Sequence, residues 1–468
     1  MKSYKIYLLA AVLLSLSLSF YSCDGLLDET IYSELTTDTY LTTTEARQTI
    51  LTSAYGNAQL REYFYFYGPG MTSGETWNEY GAIEAHFTPL CNFTWVSSHE
   101  YFSGSWNKLY SVIRDVNIVL AGVSDENVEA QLIAEAKFLR GFAYAFLFDW
   151  FGALPLYKSP DDDHYLERSS EEETVRFIEK DLLEAAAVLP VKQDTYGKAT
   201  KGAALGILTK LYLNTKQWQK AADAAGQVIN LNEYSLFPDY TKTFLIENEG
   251  NSELIWVIPG NPQAGTPFIA NTFPTDYPHL PNQTIYASRV YLFDDFVNSF
   301  DPADTRKDLI ITSYTNTNGE FIQLLGNDRS YAGKYEFDKD ALGASYGNDI
   351  PVLRYADLLL SRAEALNELN GPNEESVSLI NLVRERAGVS PIELAGYTKE
   401  TLRDHIFKER AWEFYFEQKS RSDKIRQGTF ISGAQARGKS AAKPHHVLFP
   451  LPQTEINANP NLKQNDGY

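Results

Sequence analysis

The pentapeptide Gly343-Ala344-Ser345-Tyr346-Gly347 fits G-x-S-x-G, the frame in which a serine can be raised as a nucleophile. That elbow needs a buried strand before it and a helix after it. Here Asp338-Lys339-Asp340 precedes and Asn348-Asp349-Ile350-Pro351 follows, so serine chemistry is not expected at this point. The histidines stand at 86, 99, 164, 279, 405, 445 and 446. None forms HExxH or an i, i+4 pair, the spacings that turn two imidazoles toward one metal ion. His445 and His446 are adjacent, and neighbours on an extended chain point to opposite sides. Asp161-Asp162-Asp163 lacks the glycine and distal glutamate of a calcium loop and reads as a solvated turn. Glycosidase carboxylates, about 5–9 Å apart, are placed by folding and leave no linear signature, so an enzyme reading has no positive motif. No catalytic residue, metal site or cofactor is expected.

The chemistry the residues do offer is stacking. Trp77-Asn78-Glu79-Tyr80, and Phe273, Tyr277, Asn282 and Tyr286, place large rings beside amides where no amphipathic helix accounts for them. A sugar ring has an apolar C–H face and a rim of hydroxyls, so an aromatic platform flanked by amide donors and acceptors binds it without breaking a bond. The competing reading is that each ring anchors its loop to the scaffold.

Elements must hold those rings in place, and 468 residues with 44% hydrophobic and 22% charged side chains are those of a folded protein with length for a large core. A net charge of −20 repels phosphate backbones, which argues against nucleic acid as a partner. Apolar residues at Val128, Leu132, Leu139, Phe142, Phe146 and Trp150 predict one buried face on a helix over 126–151, closed by Gly152 and Pro155. Ser169-Ser170 followed by Glu171 to Glu173 opens a second helix that ends before Pro190. Helices over 201–214 and 218–231 are separated by three residues and must run antiparallel. Their Ala203, Ala204, Gly206, Ala221, Ala222, Ala224, Ala225 and Gly226 allow close backbone approach, as in tetratricopeptide helix pairs.

Residues 232–350 carry prolines at 259, 262, 267, 274, 278 and 281 and a β-like run at 254–258, and read as a loop-rich insert. Helical pattern returns at 352–370, 374–386 and 399–417. A second loop-rich stretch is expected at 62–106, with Trp77, Trp95 and Trp106.

Lys2 and Lys5, the apolar run 6–20 and then Tyr21-Ser22-Cys23 have the form of an export signal over residues 1–22. Cys23 stands where a bacterial lipoprotein carries its lipid. Acyl chains there, at about 0.8 kcal/mol per buried methylene, would fasten the protein to a bilayer. Cys91 would then be the sole remaining thiol, so no internal disulfide is expected.

Several segments resemble the SusD/RagB family of outer-membrane nutrient-binding lipoproteins. They are AEAKFLRGFAYAFLFDWFGALPLY (134–157), GAALGILTKLYLNTKQWQKAADAAGQVINLNEYSL (202–236), VLRYADLLLSRAEALNEL (352–369) with INLVRERAGV (380–389), and HHVLFPLPQTEINANPNLKQNDGY (445–468). One departure stands out. The family's E-G-x-R-x-x-D-L stretch is Glu417-Gln418-Lys419-Ser420-Arg421-Ser422-Asp423-Lys424, which keeps Arg421 and Asp423, with Arg426 beyond, and points to a structural role.

The resemblance implies a mainly α fold, a tetratricopeptide-like scaffold of about four helix pairs with loop-rich inserts and minor β. The mature chain, 23–468, is expected as a single domain: an N-terminal part with aromatic loops (24–125), a helical scaffold (126–231), the insert (232–350), and C-terminal helices and tail (351–468). The resemblance also implies a surface lipoprotein, without enzymatic activity, that captures oligosaccharide as the lid of a SusC-like TonB-dependent barrel. A lid for peptide or another nutrient is the alternative. By position, Trp77 and Tyr80 match the early aromatic element of the binding face in starch-type members, and 277–286 lie in the region of its later loops.

Overall fold

The structure is a computed structural model that describes residues 43–60, 68–78, 84–123, 129–263, 265–286 and 289–468. The export segment, Cys23 and Tyr80 lie outside these residues. In chain order the helices are α1 (Thr44–Ala58), α2 (Gly68–Ser73), α3 (Glu84–Asn92), α4 (Glu100–Ala121), α5 (Ala130–Phe151), α6 (Glu171–Val188), α7 (Lys201–Asn214), α8 (Trp218–Ile229), α9 (Phe268–Thr272), α10 (Asp294–Val297), α11 (Tyr355–Asn370), α12 (Glu374–Arg386), α13 (Lys399–Phe414), α14 (Ser420–Gln427), α15 (Phe430–Ala436) and α16 (Gln453–Ala458). The strands are β1 (Thr76–Asn78), β2 (Leu254–Ile258), β3 (Val290–Leu292), β4 (Ile310–Ile311), β5 (Ser313–Thr315), β6 (Phe321–Gln323), β7 (Tyr331–Ala332) and β8 (Ile350–Arg354).

Helix follows helix through the scaffold. α1 packs on α4, α4 on α5, α5 on α6, α6 on α7, α7 on α8, α8 on α11, and α11 on α12 and α13. The pairs α1/α4, α5/α6, α7/α8 and α11/α12 realise the expected tetratricopeptide-like architecture. Local chemistry sets the ends: at α6 the Ser170 side chain accepts from the Glu173 N–H while the Glu173 carboxylate accepts from the Ser170 N–H. Small residues set the spacing, since a Cβ on Gly206 would fall 1.9 Å from Leu353 Cδ2 of β8. Buried Arg140 joins three helices, donating to Asp181 Oδ2 at 2.7 Å and Oδ1 at 3.0 Å on α6 and to Asn117 Oδ1 at 2.7 Å on α4.

Two expectations are corrected. The stretch 62–106 is not mainly loop: α2, β1, α3 and the first turns of α4 occupy its described part, and Trp106 is buried on α4. Ser103, Gly104 and Ser105 are weak helix formers. Burial of Phe102, Trp106, Leu109, Ile113 and Val116 outweighs them, and the Ser105 hydroxyl returns its bond to the Tyr101 carbonyl at 2.7 Å. The helix expected from 352 begins at Tyr355, because 350–354 are the strand β8, antiparallel to β2.

The insert contributes short ribbons, β2 with β8, β1 with β3, β4 with β7 and β5 with β6, and a buried charge cluster locks it to the C-terminal helices. Arg354 donates to Glu417 Oε2 at 2.7 Å and Oε1 at 2.8 Å, to Glu413 Oε1 at 3.0 Å, and to Glu253 of the insert. Arg306 of the insert forks onto Asp304 (2.9 and 2.7 Å) and reaches Glu409 Oε1 at 2.6 Å. Arg386 bridges Glu253 Oε2 at 2.9 Å and Glu413 Oε1 at 2.5 Å, and Lys334 Nζ meets Glu417 Oε1 at 2.6 Å. Burial alone would raise the Glu413 carboxyl, but Arg386, Arg354, Arg306 and Lys334 outweigh it and hold it well below the usual carboxylate range.

Past α13 the chain turns through two left-handed residues, Phe416 at φ +62° and Gln418 at φ +64°. Gln418 stands where the family motif has glycine, the residue that takes this conformation at no steric cost. Its Oε1 accepts from the Gly70 N–H at 3.0 Å, a contact a glycine could not make. Arg421 and Asp423 have the structural role expected of them. Arg421 lies 4.5 Å over the Phe449 ring, and Asp423 sits between Arg410 at 2.8 Å and Arg426 at 2.7 Å.

Candidate functional site

Pairing of β1 with β3 sets Trp77 opposite Tyr291 and Asn78 opposite Val290, which joins the early loop region to the insert. Trp77 is half-buried, its ring 5.1 Å from Tyr291 and 6.1 Å from Phe293, and its Nε1 donates to the Asp328 carbonyl at 2.7 Å. From there the ring contacts continue: Tyr291 to Tyr331 at 5.2 Å, Tyr331 to Phe273 at 5.2 Å, Phe273 to Tyr277 at 4.6 Å, and Tyr277 to Tyr314 at 5.0 Å. Phe337 closes the group, 5.4 Å from Tyr277 with a 13° tilt. Trp77 and Tyr277, 200 positions apart in number, are thus joined in one aromatic ladder.

The candidate residues divide by exposure. Phe273 is 2% exposed and offers no face to solvent. It is a support, not a platform, because Tyr277, Tyr331 and Phe337 enclose it. Asn78 is buried, with Nδ2 donating to the Arg289 carbonyl at 2.7 Å. Tyr277 is half-buried and Tyr286 is 44% exposed. Asn282 is exposed, yet its Nδ2 donates to the carbonyls of Lys339 and Ala341, both at 3.0 Å, and so pins one insert loop to another.

Sequence reasoning passed over Phe321 and Leu342. Phe321 is the most exposed of the large apolar side chains among the described residues, at 68%, and Leu342 is 58% exposed. Phe321 opens β6 of a hairpin whose loop contains Asn318-Gly319, and that dipeptide between two short strands was the available signal. Beneath the hairpin, Tyr314 donates to Asp276 Oδ1 at 3.1 Å, with burial and then Asp276 raising its phenol pKa.

The other chemical motifs take structural roles. The Ser345 hydroxyl accepts from the Gly265 N–H at 3.0 Å, in a turn that leads into the strand β8 and not into a helix. Asp162 and Asp163 accept from backbone N–H groups of Ser159 (2.9 Å) and Tyr165 (2.8 Å). His446 is buried edge-on against Trp95 at 4.7 Å, and its Nδ1 accepts from the Lys443 N–H at 2.9 Å.

Burial first, and then His445, lowers the His446 pKa from 6.5 to about 4. The unfolded chain therefore takes up this proton before the folded one does, and the stabilisation present above pH 6.5 is lost as pH falls from 6.5 toward 4. His99 and His405 are lowered as well, chiefly by burial, so His446 is one contributor among several. In urea titrations at pH 7 and pH 5, the drop in midpoint is expected to be smaller for His446→Phe than for wild type. Equal drops would refute a role for this ring.

Comparison with known proteins agrees with the geometry. A family model described as the SusD family matches residues 292–468, and one described as "Starch-binding associating with outer membrane" matches residues 26–213. The chain belongs to the SusD/RagB family. It is 28% identical over 423 residues to a SusD-like protein of Formosa agariphila, covering 78% of each chain. It is 26% identical over 456 residues to the starch-binding protein SusD of Bacteroides thetaiotaomicron, covering 81% of each. Its fold superposes with a TM-score of 0.77 on surface glycan-binding protein A of Bacteroides thetaiotaomicron, solved in complex with laminarihexaose, at 21% identity over 90% of this chain and 99% of that one. Trp77 falls within the matched segment 26–213, whereas Phe273, Tyr277, Asn282 and Tyr286 fall in the interval 214–291 that neither model covers.

Proposed function

We propose that this SusD/RagB protein is a cell-surface glycan-binding lipoprotein. It captures oligosaccharide on the ring-bearing face of its insert and delivers it to a SusC-like TonB-dependent barrel, held to the outer membrane through lipid on Cys23. One observation carries the reading: the aromatic ladder that holds Trp77 and Tyr277 half-exposed, with Tyr286 and Phe321 exposed on the same insert. Rings fixed in this way lose little freedom when a sugar lies on them. The starch-binding description of one matching family model and the name of the Bacteroides relative support the same ligand class.

Binding of residues 24–468 to a panel of polysaccharides tests the reading. A stacked ring contributes about 1 kcal/mol. Trp77→Ala with Tyr277→Ala is therefore expected to weaken retention by at least about tenfold. Tyr286→Ala, whose ring is 44% exposed and makes no hydrogen bond or ring contact among the described residues, should weaken retention while leaving thermal stability unchanged. Unaltered retention in both the double variant and Tyr286→Ala would dismiss this face, and competition by peptides with no glycan bound would replace the ligand class.

A further inference from the structure

A recess of about 550 Å³ opens on the helical scaffold, between α4, the 155–165 loop and the segment carrying α16, and none of the ladder rings lines it. That volume lies within the roughly 300–1,000 Å³ range of small-molecule sites. Its tyrosines are fixed before any ligand arrives. Tyr110 packs on Trp106 at 4.6 Å and donates to the Pro155 carbonyl at 3.0 Å. Tyr157 stands at 82° to Tyr110, 5.9 Å away, and donates to the His164 carbonyl at 2.9 Å. Tyr165 at the rim is 52% exposed, and its own carbonyl accepts from Asn461 Nδ2 at 2.7 Å.

The polar groups around these rings carry both signs. The Glu455 carboxylate lines the recess with Tyr110 and Tyr157, whose phenols burial first, and Glu455 after it, hold against ionisation; it accepts from the Thr454 hydroxyl at 3.3 Å and forms no ion pair among the described residues. Arg114 lines the same recess with its side chain 65% exposed, and among the described residues it pairs only with the neighbouring Asp115. An anionic ligand would gain Arg114 but meet Glu455, and a cationic one the reverse. A neutral ring with hydroxyls that both donate and accept satisfies the two together, while its C–H face lies on tyrosine. We propose that this recess is a second saccharide-binding site, which takes a short neutral glycan segment independently of the face on the insert.

The test is electrophoresis of the full mature chain, in detergent, through gels containing amylopectin, laminarin, xylan or galactomannan. On a polysaccharide that retards wild type, Tyr165→Ala combined with Glu455→Gln is expected to reduce retardation at least fivefold, with Tyr165→Phe behaving as wild type. Adding Trp77→Ala should reduce it further. Loss in the recess variants alone would uphold this site while removing the insert face, and loss in Trp77→Ala alone would overturn it. The proposal also fails if none of the four polysaccharides retards wild type, or if casein peptides compete for Tyr165-dependent binding. Should the double variant unfold, Arg114→Gln gives the same readout; its side chain is 65% exposed, and an unchanged urea midpoint checks that losing its pair with buried Asp115 leaves the fold intact.

Discussion

Glu413→Gln is expected to destabilise the protein by about 3–5 kcal/mol, the cost of removing one partner from a buried ion cluster. The residue sits at the centre of the charges that lock insert to scaffold: its carboxylate accepts from Arg354 at 3.0 Å, from Arg386 at 2.5 Å and from Arg306 at 3.3 Å, with none of the four side chains more than 4% exposed. Glutamine keeps the shape and loses the charge, so three guanidiniums share less anion in a place water cannot reach. An exposed pair provides the control. Glu172 and Arg176 on α6 lie 3.4 Å apart in solvent, and Glu172→Gln should cost less than about 0.5 kcal/mol. Urea midpoints measured side by side decide it, and a Glu413→Gln loss no larger than the control would refute the locking role. The pH dependence has a definite sign. Because the folded state holds the Glu413 carboxyl below its unfolded value, its stabilisation is present above about pH 4.5 and is lost as pH falls further. The variant is therefore expected to show a shallower acid limb than wild type.

Much of the scaffold was legible in the sequence, and the reasons are local. The Ser170 to Glu173 capping pair, the small residues of α7 and α8, and the Gly152 stop after α5 each act within a few positions, and those helices lie within a few residues of expectation. α4 was missed because Ser103-Gly104-Ser105 interrupts an otherwise periodic apolar face. Val352-Leu353-Arg354 suits a strand or a helix equally, and pairing with β2 decides for the strand. The charge cluster had no linear signal, since Arg354 and Glu253 are 101 positions apart and Arg306 and Glu413 are 107 apart. For the candidate site the limit is the same. Trp77, Phe273 and Tyr277 were found as rings outside helices, but which of them faces solvent depends on Tyr291, Tyr331 and Phe337, each supplied by a distant part of the insert.

Phe273→Ala separates support from contact, and it should weaken oligosaccharide binding although the ring touches no ligand. Removing a fully buried phenylalanine costs about 3–5 kcal/mol, through lost burial and the cavity left behind. Here the cavity lies directly between Tyr277, Tyr331 and Phe337, at 4.6, 5.2 and 5.0 Å. Tyr277 then loses its backing and can turn inward, so the platform end of the ladder is no longer held at the surface. Phe273→Leu refills most of that space and should cost less than about 1.5 kcal/mol, restoring binding with it. Tyr286→Ala provides the opposite pattern, with stability within about 0.5 kcal/mol of wild type and binding reduced, because its ring is exposed. Urea unfolding and polysaccharide retention measured on the three variants distinguish the roles. If Phe273→Ala leaves stability intact, the ladder does not bear on that ring; if Phe273→Leu loses binding as fully as alanine does, Phe273 meets the ligand itself and the assignment of support is wrong.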